Sequence, residues 1–194
     1  MPTKPKILAF AGSTRTDSFN KKLVRVAAAG AKNAGADVTV IDLRDYPLAL
    51  YEGDNEAREG VPPNAKKLKQ LFLAHAGLLI ASPEYNSGLS GVLKNVIDWV
   101  SRPETATEKP LACFAGKVAA IMSASPGGLG GIRGLVQLRS ILGNIKVLVL
   151  PDQIAVPEAH AAFNADGTLT DAKRQAAVEK LGADLAQTVA KLQA

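Results

Sequence analysis

The sequence predicts a three-layer α/β fold in which helices cover both faces of a five-stranded parallel sheet. Two observations lead to this prediction. Five short apolar runs alternate with segments of helical pattern, and each run is apolar almost without interruption. Strands that are apolar on both sides are typical of a parallel sheet buried between helices, because right-handed crossovers place helices on both faces.

The predicted strands and helices alternate along the chain. The strands are expected at Lys6–Ala11, Asp37–Asp42, Gly77–Ala81, Lys117–Ser123 and Lys146–Leu150. The helices are expected at Asn20–Asn33, Pro63–Ala74, Gly91–Ser101, Gly130–Leu142 and Asp171–Leu192. Thr170 is the expected N-cap of the last helix, because a hydroxyl can accept a hydrogen bond from the unpaired N–H groups of a first turn.

The predicted strand order is 2-1-3-4-5, which is the order of a flavodoxin-like fold. In such a sheet ligands bind at the carboxyl ends of the strands where the winding direction reverses, so the site is expected at the loops after strands one and three. No repeat or change in composition divides the chain, and a single domain over residues 1–194 is expected. The segments 43–63 and 151–170 are expected to be surface loops.

Composition predicts a soluble cytoplasmic protein. The chain of 194 residues has one cysteine, Cys113, so no internal disulfide can form and a reducing compartment is expected. Its net charge of +5 comes from lysines and arginines that are scattered among carboxylates, which argues against nucleic-acid binding. No segment has the apolar length of a secretion signal or a membrane span, so no membrane insertion is expected.

The loop after the first strand has the composition of a phosphate site. It contains, in order, Gly12, Ser13, Arg15, Ser18 and Asn20. A helix is expected to begin near Asn20, with Asn20 as its cap, so that the unpaired N–H groups of the helix face the same spot. A pyrophosphate needs the backbone approach of a G-x-G-x-x-G loop, whereas side-chain donors and an arginine suit a terminal phosphate. The loop therefore favours a mononucleotide.

Two further loops are expected at the same edge of the sheet. The one after strand three, Ser82–Gly91, contains Pro83, Glu84, Tyr85 and Asn86. Its peptide groups suit the alternating donors and acceptors on the rim of a flavin ring. The one after strand four, Ser123–Gly128, has small residues that leave room for a ring or a ribityl chain. Its glycines do not form a G-x-G-x-x-G pattern, because Arg133 stands at the third position, so this loop alone is weak evidence.

Three motifs occur in combination at the spacing of a βαβαβ unit. They are Gly12-Ser13-x-Arg15-x-x-Ser18-x-Asn20, Pro83-Glu84-Tyr85-Asn86 and Leu93-Lys94-Asn95-x-Ile97-Asp98-Trp99. With these motifs the chain resembles the NAD(P)H-dependent FMN reductase family over nearly its whole length. Members of that family are flavodoxin-like, bind FMN without covalent attachment and reduce quinones, azo dyes, chromate or free flavin. Many form dimers or tetramers with the flavin near a subunit interface.

The resemblance implies a function and a set of site residues. The chain would be an FMN-dependent oxidoreductase that passes hydride from its cosubstrate NAD(P)H through flavin N5 to small acceptors, above all quinones, and would form a homodimer or homotetramer. The cofactor-binding residues would be Ser13, Arg15, Ser18 and Asn20 at the phosphate, Pro83, Glu84, Tyr85 and Asn86 along the isoalloxazine, and Ser123, Ser125, Gly127 and Gly128 in the third loop. Because the flavin carries the chemistry, no catalytic side chain is expected.

Two other functions on the same fold remain as alternatives. One is a flavodoxin-type electron carrier, although such carriers are usually acidic and this chain is basic. The other is a flavin-free regulatory protein, since a fold alone does not determine an activity. Oxidation of NAD(P)H without a partner protein would separate the enzyme from both.

The remaining titratable residues are interpreted as structural. Lys94 and Asp98 lie four residues apart on one predicted helix and are expected to form a surface pair. His75 and His160 lack partners at metal-ligand spacing, so no metal site is expected. Cys113 is interpreted as an inert thiol.

Overall fold

A computed structural model of the chain describes residues 4–193 and has the predicted α/β architecture. The strands are β1 (Lys6–Ala11), β2 (Asp37–Ile41), β3 (Gly77–Ala81), β4 (Glu84–Tyr85), β5 (Gly88–Leu89), β6 (Val118–Ala124) and β7 (Leu148–Val156). The helices are α1 (Phe19–Asn33), α2 (Gly53–Glu59), α3 (Pro63–Ala74), α4 (Gly91–Val100), α5 (Ile132–Asn144) and α6 (Ala172–Leu192). None of the helices in this part of the chain combines the length and apolar character needed to cross a membrane.

Five parallel strands form the main sheet in the order β2-β1-β3-β6-β7. This is the predicted order 2-1-3-4-5 for the five predicted strands, and that prediction is confirmed. In the centre of the sheet, Ile7 is in register with Val38 on one side and with Gly77 on the other. The winding direction reverses between β1 and β3, so the loops that follow these two strands meet at one edge.

Alternating side chains of the strands enter two separate apolar cores. Ile7 and Ala9 of β1 pack under α1 and α6, whereas Leu8 and Phe10 pack under α3, α4 and α5. Every residue of β3 and β6 is buried. Burial on both faces explains why these strands lack polar alternation, and it makes the sheet a rigid base for the loops at its carboxyl edge.

The fifth strand of the main sheet is longer than predicted. We expected it to end at Leu150, but β7 continues to Val156, and only the segment from there to residue 170 is irregular. The pairing with β6 is interrupted, since Ala119 is opposite Val149 and Ile121 is opposite Gln153. Pro151, which cannot donate a ladder hydrogen bond, falls inside this interruption, so the strand resumes beyond it.

The segment predicted as a surface loop, 43–63, also contains regular structure. A 3₁₀ turn covers Leu43–Asp45, and α2 follows at Gly53–Glu59. None of the residues of α2 is buried, so the sequence has no apolar periodicity there to indicate a helix. Its start is stabilised by Glu52, whose carboxylate accepts hydrogen bonds from the N–H groups of Asp54 and Asn55.

The cap predicted for the last helix was wrong by one residue. Asp171 is the N-cap of α6, and its carboxylate accepts from the N–H groups of Lys173 (2.9 Å) and Arg174 (3.2 Å). The hydroxyl of Thr170 instead donates to the carbonyl of Ala162 in the preceding loop. Both residues are good caps, but a carboxylate also interacts favourably with the positive end of the helix dipole.

Candidate functional site

Three loops at the carboxyl edge of the sheet enclose a cleft. The residues that line it are Ser13, Arg15, Ser18, Phe19, Asn20, Pro83, Glu84, Tyr85, Ala124, Ser125 and Pro126. They come from the loop after β1 with the start of α1, from the segment after β3, and from the end of β6 with the loop that follows it. The cleft therefore lies at the reversal point of the winding, where the strand order predicts that a ligand binds.

Two hydrogen bonds to the backbone of Gly12 hold the base of the loop after β1. The Gly12 N–H donates to the carbonyl of Ala81 (2.8 Å), and the Ser90 hydroxyl donates to the carbonyl of Gly12 (2.6 Å). Further along, the Arg15 N–H donates to Ser13 Oγ at 3.3 Å. The side chain of Arg15 is exposed and has no hydrogen-bond partner among residues 4–193, so its guanidinium is available to an anion.

The first turn of α1 faces the same cleft. Ser18 is the N-cap in extended conformation, and its hydroxyl makes no capping hydrogen bond to residues 4–193. No acceptor within the described range pairs with the N–H groups of Phe19 and Asn20. A helix start with free donors and a positive dipole end suits an anion. The prediction that Asn20 caps the helix was wrong, because Asn20 is the second residue inside it.

Asn20 fastens α1 to Ala124, the last residue of β6. Its Nδ2 donates to the carbonyl of Ala124 (2.8 Å), and its Oδ1 accepts from the N–H of the same residue (2.9 Å). Asn20 is buried, and this pairing imitates one step of a β-ladder. Its side chain therefore joins two walls of the cleft, which leaves one N–H of its amide for another acceptor.

The segment after β3, predicted only as a loop, folds into a small hairpin. Glu84 is opposite Leu89 and Tyr85 is opposite Gly88. The two residues at the turn have positive φ angles, 51° at Asn86 and 66° at Ser87, which is the backbone that a two-residue hairpin turn requires. Tyr85 lines the cleft from this hairpin with about half of its surface exposed (53%).

The Glu84 side chain connects the hairpin to α5. One carboxylate oxygen accepts from Arg133 Nη2 (2.6 Å) and Nε (3.0 Å), and the other accepts from the Gly134 N–H (3.1 Å). The N-cap of α5 is Gly131, which has no side chain to offer, so Glu84 supplies the missing acceptor from a distant part of the chain. Burial opposes the charge of Glu84, but the hydrogen bonds from Arg133 and Gly134 outweigh it and hold the pKa of the carboxyl below its ordinary value.

Replacing Glu84 with glutamine should lower the free energy of unfolding by about 1 kcal/mol at neutral pH. The variant loses the ion pair with Arg133, and its amide oxygen is a weaker hydrogen-bond acceptor than the carboxylate. A carboxyl whose pKa is lowered on folding contributes stability above its unfolded pKa and loses it as the pH falls through the folded value. The difference between wild type and Glu84→Gln should therefore shrink in acid. Urea unfolding at several pH values measures this. Glu59→Gln is the matched control, since the Glu59–Arg58 pair is exposed, and an equal effect there would contradict the expectation.

The loop after β6 turns tightly into α5. Gly131 has φ 89°, and a Cβ at this position would collide with the side chain of Ser123. Ser123 is completely buried, and within residues 4–193 its hydroxyl is without a hydrogen-bond partner. The side chain of Ser123 therefore lies under the glycine turn and does not line the cleft, and its predicted contact with a cofactor stays a prediction. Glycine at position 131 permits both the left-handed backbone and this close approach.

The structure brings most of the predicted site residues together. Those that line the cleft are Ser13, Arg15, Ser18, Asn20, Pro83, Glu84, Tyr85 and Ser125. Asn86, Gly127 and Gly128 are exposed on the same loops but are not among the lining residues. Phe19, Ala124 and Pro126 also line the cleft and were not predicted individually, although Ala124 and Pro126 lie within the predicted loop Ser123–Gly128. Each of them is adjacent to a predicted site residue, so the loop positions were the available signal.

A second group that the sequence did not reveal surrounds the loop after β1. Asp42, which follows β2, accepts from Lys21 Nζ of α1 (2.6 Å) and from the Arg44 N–H (3.0 Å). The guanidinium of Arg44 donates to the Thr14 carbonyl (Nε, 3.1 Å) and to the hydroxyl of Thr16. Burial opposes the charge of Asp42, but the hydrogen bonds from Lys21 and the Arg44 N–H outweigh it and keep the pKa of its carboxyl below the ordinary value.

Other titratable residues lie away from the cleft. Lys94 and Asp98 form the predicted pair on α4, with Nζ at 2.8 Å from the carboxylate. Cys113 is buried, and burial raises the pKa of its thiol, which keeps it in the unreactive form. His75 hydrogen-bonds the Leu71 carbonyl and the Thr39 hydroxyl. Residues 4–193 contain no group of three or more His, Cys, Asp or Glu side chains that could hold a metal ion.

Comparison with known proteins associates this architecture with flavoenzymes. The sequence profile of the family described as NADPH-dependent FMN reductase matches residues 5–161. An NAD(P)H-dependent FMN reductase of Pseudomonas aeruginosa is 36% identical over 176 residues, which are 90% of either chain. A quinone reductase of Escherichia coli is 34% identical over 151 residues, 77% of this chain and 76% of that one. Among solved structures, the flavoenzyme NAD(P)H:(acceptor) oxidoreductase FerB of Paracoccus denitrificans has a TM-score of 0.79 at 27% identity and covers 96% of this chain and 98% of its own.

Proposed function

The chain belongs to the NADPH-dependent FMN reductase family, and from this premise we propose that the cleft at the carboxyl edge of the sheet is its FMN site. The protein is an oxidoreductase with FMN as its cofactor and NAD(P)H as its electron donor. One observation carries the proposed location. Arg15, Ser18 and the first turn of α1, whose N–H groups are free within residues 4–193, line the same cleft. Such a donor set fits a terminal phosphate.

The other residues of the cleft are proposed to hold the rest of the cofactor without a covalent bond. Pro83 and Tyr85 would lie along the isoalloxazine, and Ser125 would contact it or the ribityl chain from the third loop. The carboxylate of Glu84 is occupied by Arg133 and Gly134, so its charge does not oppose a phosphate. Asn86, Gly127 and Gly128 are proposed as flanking contacts, and Ser123 as support beneath the turn.

Bound FMN supplies the chemistry, which is acceptance of a hydride from the nicotinamide and delivery of the electrons to an acceptor. The chain's own contribution is to fix the cofactor and to leave its ring accessible at the exposed hairpin. We propose no side chain as acid, base or nucleophile. Quinones are the proposed acceptor class, because the relatives include a quinone reductase, and azo compounds, chromate and free flavin are further candidates.

A titration with two flavins tests the proposed site. Purified protein freed of flavin should quench FMN fluorescence strongly and riboflavin fluorescence more weakly, since riboflavin lacks the phosphate. The reconstituted protein should oxidise NADH or NADPH with a benzoquinone and no partner protein, which an electron carrier or a flavin-free regulator would not do. Equal affinity for the two flavins would refute a phosphate site, and absence of turnover would refute the acceptor class.

We also propose that the protein works as a homodimer or homotetramer. Four apolar side chains at or next to the cleft are exposed: Tyr85, Leu129, Ile132 and Val136. Ile132 and Val136 lie one turn apart on the same face of α5, and an apolar patch of this kind is typical of a surface that a partner covers. Sedimentation of the purified protein measures the assembly. We further propose that residues 1–194 form a single flavin-binding domain. A cytoplasmic location is also proposed, and the one cysteine of the chain, Cys113, which is buried, is consistent with it.

A further inference from the structure

We propose that Arg44 is a positioning residue, which shapes the loop after β1 for the phosphate without contacting the cofactor itself. The proposal rests on the FMN site described above. Within residues 4–193, two hydrogen bonds join the exposed half of this loop, residues 14–17, to another element. The guanidinium of Arg44 donates both of them. Arg44 belongs to the 3₁₀ turn after β2 and is not among the residues that line the cleft.

The bond from Arg44 to the Thr14 carbonyl determines how one peptide group of the loop is turned. In a trans peptide the carbonyl and the following N–H point in opposite directions. Because the Thr14 carbonyl points at Arg44, the Arg15 N–H points the other way, toward Ser13 Oγ at the cleft. Arg44 thus turns the Thr14 carbonyl, an acceptor, away from the anion site and the Arg15 N–H, a donor, toward it.

Arg44 is itself held in place by a network that reaches back to α1. Its N–H donates to Asp42 Oδ1, and Asp42 Oδ2 pairs with Lys21 Nζ at 2.6 Å. The Lys21 side chain is largely buried, with 10% of its surface exposed, so this end of the network is fixed. The loop and the first turn of α1 are therefore braced against the same 3₁₀ turn. Such bracing would reduce the entropy lost when the loop closes on a phosphate.

The test compares FMN with riboflavin on three variants. Arg44→Ala should weaken FMN binding by about tenfold and leave riboflavin binding nearly unchanged, because the brace acts on the phosphate end alone. Arg44→Lys keeps the charge but cannot donate to two acceptors from a planar fork, so most of the loss should remain. Arg58→Ala is the matched control, since Arg58 is exposed on α2 and its guanidinium bonds only to Asn55 and Glu59 within residues 4–193.

Each outcome decides between the inference and its alternatives. Wild-type affinity in Arg44→Lys would overturn the inference, because charge alone would then suffice. A similar loss in Arg58→Ala would also overturn it. A parallel loss of FMN and riboflavin binding would assign Arg44 a general structural role and also overturn it. If Arg44→Ala fails to fold, Arg44→Lys provides the same test. A selective loss of FMN affinity in that variant would support the inference, and an equal loss of FMN and riboflavin affinity would overturn it. Failure of the wild type to prefer FMN would refute the proposed site itself.

Discussion

Replacing Arg15 with alanine should weaken FMN binding by about ten- to hundredfold, since a charge-assisted hydrogen bond contributes about 1.5–3 kcal/mol. Arg15 is the cationic side chain that lines the cleft, and its guanidinium has no competing partner within residues 4–193. The phosphate would therefore lose its bidentate donor, while Ser13, Ser18 and the start of α1 remain. Quenching of flavin fluorescence in a titration with FMN measures the change.

Three comparisons make this result specific. Riboflavin affinity should not change in Arg15→Ala, because the lost contact is to the phosphate. Arg15→Lys should fall between the alanine variant and the wild type, since it retains the charge and loses the planar fork. Arg58→Ala should bind like the wild type, since Arg58 is exposed on α2. Unchanged FMN affinity in Arg15→Ala would show that the phosphate is held elsewhere on the molecule.

The strands of the main sheet could be predicted because their burial leaves a direct trace in the sequence. β3 and β6 are buried along their whole length, so the chain is apolar there except at Ser123. α2 has no buried residue. The continuation of β7 lies beyond Pro151, and a proline in a sequence usually indicates the end of a strand. The long-range contact of α2 comes from Arg102, whose Nε donates to Glu56 at 2.8 Å, and the continuation of β7 depends on pairing with β6. Local sequence patterns do not contain such distant partners.

The candidate site could be predicted at the level of loops but not of individual side chains. The strand order determines which loops meet, and the serines and arginine after β1 indicate an anion. The roles of Glu84 and Asn20 depend on partners 50 and 104 residues away in the chain. Their side chains join walls of the cleft to each other. Such long-range pairing explains why a residue in a recognisable motif need not touch the ligand.

Replacing Asn20 with aspartate should lower the free energy of unfolding by about 2–4 kcal/mol at neutral pH. In the variant, one carboxylate oxygen still accepts from the Ala124 N–H. The other oxygen replaces the Asn20 Nδ2 group, which donates to the Ala124 carbonyl at 2.8 Å in the wild type. This oxygen carries no proton, so it repels the carbonyl oxygen. The position is only 3% exposed, so the charge is also poorly solvated. Urea unfolding of both proteins at about pH 7 measures the loss.

Acid should restore part of this stability, because the new carboxyl has the opposite pH dependence from Glu84. Burial raises its pKa in the folded state, so the penalty exists above the unfolded pKa and is relieved as the pH falls through the raised folded value. Once protonated, the carboxyl can donate to the Ala124 carbonyl as the amide does. Asn33→Asp, at the exposed last residue of α1, should change stability little at either pH. An Asn20→Asp variant as stable as this control would show that the clamp on Ala124 does not hold α1 to the third loop.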